Sequence, residues 1–322
     1  MGLIEACQLA PLLSCPRCRS RLVAGVGHYA CSDQQCAFAR PYGFPAVGDH
    51  PVLVDFDQSV LVEEDLRSSE GATVVGRTEW SGVGKRFRDC LFPPHAVSLR
   101  NGLRFRSLAL ELASRPLVLN AGGGTIGNGA SAFYDQPEID VISFDIYASS
   151  SIQFIADAHQ IPLADGSVDA VWIQAVLEHV LNPWAVVSEI HRVLKKDGIV
   201  YAETPFMQQV HEGAYDFTRF TESGYRWMFR RFSRIDSGAV AGPGTQLLWT
   251  IEHISRSLSR SITVGKLMKI LFFWTAYLDQ LCPADFSIDG SSGNFFLGRK
   301  AETEITPADI IQHYQGAQRR RR

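Results

Sequence analysis

Beyond Arg106 the apolar and polar positions fall into a rhythm that the first third of the chain lacks. "RSLALELA" sets Leu108 and Leu112 on one helical face, and "PLVLN" follows as a short apolar run ending in glycines. "DVISFD" (140–145), "IQFIAD" (152–157), "DAVWIQ" (169–174) and "IVYAET" (199–204) are further short runs rich in β-branched and aromatic residues. Between the last two lies "NPWAVVSEIHRVLKKDG". Here Asn182 is placed to cap a helix, Pro183 to open it, and Val187, Ile190, Val193 and Leu194 to face inward. Lys195 and Lys196 are expected in its last turn, with Gly198 stopping it. Strands alternating with helices predict an α/β fold with a doubly wound parallel sheet. "SRIDSGAV" and "SGNFFLGRK" predict strands six and seven, separated by an insertion at about 246–290 that carries the apolar "LMKILFFWTAYLDQL".

In a doubly wound sheet, ligands bind outside the carboxyl ends of the strands. "LVLNAGGGTIGNG" puts Gly122, Gly123 and Gly124 at that end of the first strand, where a bare backbone admits a tight turn or a ligand. Asp145 ends the second strand, where a carboxylate can accept both hydroxyls of a ribose, and Asp157 ends the third, within reach of an adenine amino group. One adenosine-containing cofactor accounts for all three. Gly122, Gly124 and Gly127 spell G-x-G-x-x-G, so on these residues alone a dinucleotide leads.

Ahead of the sheet, "CPRC" (Cys15, Cys18) and "CSDQQC" (Cys31, Cys36) supply two thiolate pairs, the second more widely spaced. Four thiolates make a closed, structural Zn²⁺ site; the competing reading is a reduced, metal-free cluster. Cysteine usage, with seven in all, fits a reducing and therefore cytoplasmic compartment. "MGLIEACQLAPLL" has no basic start and carries Glu5, a poor secretory signal. A net charge of -3 gives no global reason to expect nucleic acid. The best apolar run, Ile270 to Leu278, falls short of the roughly 20 residues of a membrane span. Lys266 and Lys269 beside it keep peripheral membrane contact open, alongside a pocket lid, a dimer contact or plain core packing.

Two resemblances sharpen this. Residues 12–54, with Cys-Pro-x-Cys, the later pair, an aromatic and "GFP", resemble the small zinc-ribbon proteins that activate methyltransferases. Residues 117–205 resemble the class I S-adenosylmethionine-dependent methyltransferases, most specifically through "DAHQIPLADGSVDAV", "LEHV" and "VLKKDG". That resemblance implies a Rossmann-like methyltransferase sheet and reverses the choice of cofactor to S-adenosylmethionine. By the same resemblance Gly122 and Gly124 contact its methionine part, Asp145 the ribose, and Asp157 and Ala158 the adenine, while Gln174 faces the space beyond strand four. Two positions depart from the family pattern: Asn120 stands where an acid is usual, and Ile126 replaces the third glycine.

The expected domains are a zinc ribbon (1–58), a connector (59–105), the methyltransferase unit (106–300) and a flexible basic tail (301–322). Methyl transfer needs alignment first, and a proton acceptor only for a poor nucleophile. His179 in "LEHV", near the cofactor in the family, is a catalytic candidate or a structural histidine. "HEGAYDFTRFTESGY" resembles a segment of bacterial methyltransferases of polysaccharide pathways; His211 and Asp216 are its candidate bases, and Thr221 its helix cap. The acceptor is expected to be an oxygen or nitrogen of a small molecule or glycan. An RNA methyltransferase and a non-catalytic scaffold are the alternatives.

Overall fold

The structure is a computed structural model, and residues 2–25, 28–72 and 96–319 are described. Two short hairpins come first: β1 (Leu22–Ala24) with β2 (Tyr29–Cys31), and β3 (Ala46–Val47) with β4 (His50–Pro51). The large sheet contains β5 (Leu117–Ala121), β6 (Asp140–Asp145), β7 (Phe154–Ile155), β8 (Val168–Gln174), β9 (Leu194–Pro205), β10 (Phe232–Ala241) and β11 (Gly293–Lys300). Its order is β10-β11-β9-β8-β5-β6-β7. β5 pairs in parallel with both β6 and β8, β9 continues in parallel, and β11 runs antiparallel between β9 and β10. The predicted doubly wound sheet is therefore present, and its sixth and seventh strands in sequence, β10 and β11, form an antiparallel edge. Its order reverses at β5, so a crevice opens at the carboxyl ends of β5 and β8.

Alternation along the strands divides the core between the two faces. Leu119, Ile142, Phe144, Val171, Ile173, Val200 and Phe296 face one side. Val118, Val141, Ala170, Trp172, Tyr201, Phe295 and Leu297 face the other. The second face is covered by the helix Ala96–Leu112, through Phe105 and Ala109, and by the short helix Ser131–Tyr134. The first is covered by the helix Pro183–Val193, by Tyr225, Met228 and Phe229, and by Leu13, Cys15, Leu22, Cys31, Phe44 and Leu53 of the N-terminal unit. The expected zinc ribbon thus shares its core with the sheet.

Several boundaries differ from expectation. The helix Pro183–Val193 has its Asn182 cap, the side chain accepting from Ala185 N, but "LKKDG" opens β9 instead of closing the helix. Lys195 Nζ lies 2.9 Å from both oxygens of Asp169 in β8, and Asp197 takes the left-handed turn (φ 61) that Gly198 was expected to make. The third strand is reduced to Phe154–Ile155, so Asp157 lies beyond it. Thr221 caps the helix Glu222–Met228 as expected; the expectation that the same helix face runs on through Tyr225 and Phe229 to Phe232 fails, because Phe232 already belongs to β10. Helices Glu63–Ser68 and Ala96–Leu112 occupy parts of the connector, and its "EWSGVGKRF" lies outside the described residues.

The insertion folds as two helices, Pro243–Ser259 and Ile262–Leu271, then a 3-10 stretch Phe273–Gln280 and a helix Ala284–Asp289. Asp279 ties it together by accepting from Gly242 N (2.9 Å), Gly244 N (2.6 Å) and Thr245 Oγ1 (2.6 Å) at the start of the first helix. Leu258, Leu267, Leu271 and Leu281 are exposed there. No helix among the described residues is long and apolar enough to cross a membrane. Within the expected tail, Thr306 and Asp309 form a capping box on a helix Pro307–His313, and Tyr314 donates to Asp289. The last three arginines lie outside the described residues.

Candidate active site

The glycine turn joins β5 to the end of β6. Gly122 (φ 80) and Gly123 donate to the Phe144 carbonyl at 2.9 and 3.0 Å, Gly124 N donates to Asp145 Oδ2 at 2.8 Å, and Ile146 N donates to Asp145 Oδ1 at 2.7 Å. The bare backbone is required by the protein itself. A Cβ would come within 2.2 Å of Val176 at Gly122, 2.0 Å of Ser143 at Gly123 and 2.5 Å of Tyr147 at Gly124. Tyr147 lies across Gly124 and its hydroxyl meets Thr125 Oγ1 at 3.1 Å. Gln174 reaches over the turn, its Oε1 2.5 Å from where a Gly127 Cβ would be. Asn120 is buried and donates to the Tyr134 hydroxyl at 2.9 Å, so this amide orders the turn without a charge.

Asp157 is in a different position from Asp145. It is buried, and its Oδ1 accepts from His159 N (2.9 Å) and His159 Nδ1 (2.6 Å), while Oδ2 accepts from Ser59. Burial raises this carboxyl, but the hydrogen bonds from His159 and Ser59 outweigh it and hold it below the usual range. It also caps the 3-10 turn Ala158–Gln160. Its side chain anchors the connector to the sheet.

A second group of polar side chains gathers beyond β8 and β9. Glu178 is fully buried and neither carboxylate oxygen has a hydrogen-bond partner; burial pushes it up to about 8. His179 Nδ1 donates to the Tyr215 carbonyl (2.7 Å), and its Nε2 lies 3.7 Å from Glu178 Oε1. The His211 ring is 4.9 Å from the His179 ring, and its Nδ1 is 3.3 Å from Asp216 Oδ2. Burial depresses both histidines. Asp216 is gripped by Arg219 on both oxygens and by His211 N at 3.0 Å. These contacts outweigh its burial and hold it at about 2. Arg219 also donates to the Gln208, Gln209 and Thr218 carbonyls, which fixes the whole loop.

The sequence reading missed Glu178, Glu203, Thr204 and Tyr225. Glu203 accepts from Tyr201 (2.8 Å) and Ser98 (3.0 Å), and burial raises its carboxyl. The Thr204 and Tyr225 hydroxyls are buried beside each other. A carboxylate at the end of the apolar run "IVYAET" was the available signal, since acids are rarely buried unless they are paired.

The four N-terminal thiols converge, with Cys15 and Cys36 Sγ 3.8 Å apart, Cys18 and Cys31 Sγ 3.4 Å apart, and all four within 4.8 Å of one another. A tetrahedral Zn²⁺ with Zn–S bonds of about 2.3 Å requires S···S edges of about 3.8 Å. The thiols are thus spaced as zinc ligands. Burial pushes Cys31 up to about 12, whereas hydrogen bonds from Ser20 overcome burial at Cys18 and bring it to about 7.

Residues 120–202 match the methyltransferase domain family. The chain is 34% identical over 109 residues to the malonyl-[acyl-carrier protein] O-methyltransferase of Laribacter hongkongensis, a match covering 27% of this chain and 36% of that relative. The chain therefore spans about a third of that relative's length. Among solved structures it is similar to a chain of the complex between the Haloferax volcanii Trm112 methyltransferase activator and a methyltransferase (18% identity, TM-score 0.42, 68% of this chain and 93% of that one). It is also similar to Haemonchus contortus phosphoethanolamine N-methyltransferase 2 in complex with S-adenosyl-L-methionine (15% identity, TM-score 0.45, 78% and 62%). The glycine turn, Asp145, Asp157 and the "LEHV" segment all fall within the stretch, residues 120–202, that matches the methyltransferase domain family.

Proposed function

We propose that this chain transfers a methyl group from S-adenosylmethionine to an oxygen or nitrogen of a small molecule or glycan. One observation carries the reading. The glycine turn with Asp145, and the cluster of Glu178, His179, His211 and Asp216, lie at the same carboxyl edge of the sheet, after β5–β6 and after β8–β9. A bound cofactor supplies the sulfonium methyl for in-line displacement. Gly122 and Gly124 bring backbone close to its methionine part, Asp145 accepts from its ribose, and Gln174 borders the crevice from β8. Asp157 and Ala158 hold the adenine side, with the Asp157 carboxylate acting on the wall and not on the base. Asn120 keeps the turn in shape through Tyr134.

At the acceptor end the neutral imidazoles of His211 and His179 suit proton uptake, and Asp216, ion-paired and held at about 2, orients His211 and Arg219. Cys15, Cys18, Cys31 and Cys36 hold one structural Zn²⁺, supported by their spacing. The reducing state these thiols need fits a cytoplasmic protein, and a net charge of -3 favours a glycan or small-molecule acceptor over RNA. Asn120 and Ile126 favour a second reading, a scaffold that keeps the fold without binding cofactor. Titration calorimetry with S-adenosylmethionine separates the two. Mass spectrometry of glycan and RNA pools incubated with methyl-labelled cofactor then identifies the acceptor, and label appearing only in RNA overturns the glycan reading.

A further inference from the structure

The group beyond β8 and β9 has the composition and packing of a metal centre separate from the cysteine cluster. We propose that Glu178, His179 and His211 bind a divalent first-row transition-metal cation. One ligand atom from each of the three lies within 4.8 Å of the others. Glu178 is 0% exposed and both its oxygens lack a hydrogen-bond partner; a carboxyl so placed either holds a proton or pairs with a cation, and the two imidazoles beside it give a cation further ligands. The Arg219 guanidinium, whose charge reaches Glu178, is already paired through both terminal nitrogens with Asp216.

The surroundings of the imidazoles support the same assignment. His179 donates Nδ1–H to the Tyr215 carbonyl, which fixes the tautomer and leaves the Nε2 lone pair on the side of Glu178, 3.7 Å away. His211 has the Asp216 carboxylate 3.3 Å from its Nδ1, and Asp216 is itself immobilised by Arg219. Metal-binding histidines are commonly backed in this way by a carbonyl or a carboxylate. Two imidazoles and one carboxylate are nitrogen and oxygen donors that suit Mn²⁺, Fe²⁺, Co²⁺, Ni²⁺ or Zn²⁺, and three ligands leave positions open. On the methyltransferase reading, on which this last step rests, a cation held by His179 and His211 occupies their free lone pairs; ligation to the cation, which lowers the acceptor's pKa so that its proton passes to solvent, then replaces proton uptake by an imidazole. The acceptor is then a molecule with a hydroxyl or carboxylate oxygen able to ligate the cation.

The test uses full-length protein. Metal content as purified should show a second equivalent beyond that of the cysteine cluster, or Mn²⁺ titration followed by electron paramagnetic resonance should show uptake of one ion. Thiolates discriminate against Mn²⁺, so the cysteine cluster does not compete for this probe. Glu178→Gln, His179→Gln and His211→Gln should each weaken uptake at least tenfold. Asp216→Asn should weaken it less, through loss of the carboxylate behind His211. His211 lies at the surface end of the cluster, so its variant reports even if Glu178→Gln fails to fold. No second metal and no Mn²⁺ uptake, or uptake unchanged in the folded variants, overturns the cation site. Calorimetry with S-adenosylmethionine on the same samples separates the two ideas. Cofactor binding without Mn²⁺ uptake removes the cation alone, and Mn²⁺ uptake without cofactor binding removes the methyltransferase reading alone.

Discussion

Asp145 and Asp157 both stand just past parallel strands, and their partners divide their work. Asp145 accepts from two backbone amides at the mouth of the crevice, whereas Asp157 is buried between His159 and Ser59. Asp145→Ala should weaken S-adenosylmethionine binding by about 1.5–3 kcal/mol, the worth of hydrogen bonds to a charged group. Calorimetry on the folded variant checks this, and unchanged affinity moves the ribose site elsewhere. Asp157→Ala removes a cap and the tie to the connector, so its effect should appear in the urea midpoint, with about 1 kcal/mol from the cap alone. His191 gives a pH prediction. It is buried against Phe232, and burial lowers its pKa below the ordinary 6.5. The folded state then binds fewer protons than the unfolded chain, so the contribution is complete above pH 6.5 and is lost as pH falls through the lowered value. The urea midpoint should drop between pH 7.5 and 5.5, and His191→Gln should drop less.

At the scale of elements, the loop after β9 makes the sharpest claim. Arg219 ties three carbonyls and the Asp216 carboxylate of one short segment, so the loop presents His211 at a fixed place. His211→Ala should spare cofactor binding and lower turnover by about 10²–10⁴ if the imidazole takes up the proton. Asp216→Ala should act chiefly on the acceptor's apparent KM by loosening the loop. Parent-like turnover in both variants makes the segment structural. The strands of this edge were legible because buried strands announce themselves by β-branched and aromatic runs: "DVISFD" is β6 residue for residue. The end of the helix Pro183–Val193 was not, because Lys195 is held by Asp169, a partner twenty-six residues away. Local helix-stop signals cannot anticipate such a partner. Likewise Glu178 was passed over in "LEHV" in favour of His179, since burial of a carboxylate is decided by the strands around it. Gly122 and Gly124 were read as cofactor contacts; the packing of Val176 and Tyr147, which leaves no room for a Cβ at either, is a second reason for glycine that only the fold reveals.

The molecule as a whole joins its two parts more closely than a ribbon followed by an enzyme would suggest. Leu53 N donates to Ile155 O beside β7, Ser14 N to Pro162 O, and Ala164 N to Leu12 O, while Arg19 pairs with Glu189 on the helix Pro183–Val193 (2.7 Å). Cys15 and Cys31 are themselves buried in the cluster that holds Leu119, Ile142 and Phe154. Any change that loosens the cysteine cluster therefore exposes one face of the sheet. If the four thiolates hold Zn²⁺, metal analysis should find about one zinc per chain bound there, and removing it by chelation should lower the stability of the entire chain. The expected result is a single urea transition moved to lower concentration, with amides of β5, β6 and β8 losing hydrogen-exchange protection together with those of β1 and β2. Leu13→Ala tests the same junction without touching a thiol. Leu13 is 1% exposed and bridges to Leu163, so truncation should cost about 2–5 kcal/mol and shift that same single transition. Two separate transitions in either experiment, with the β5–β8 amides unaffected, would mean that the N-terminal unit folds independently and merely rests on the sheet.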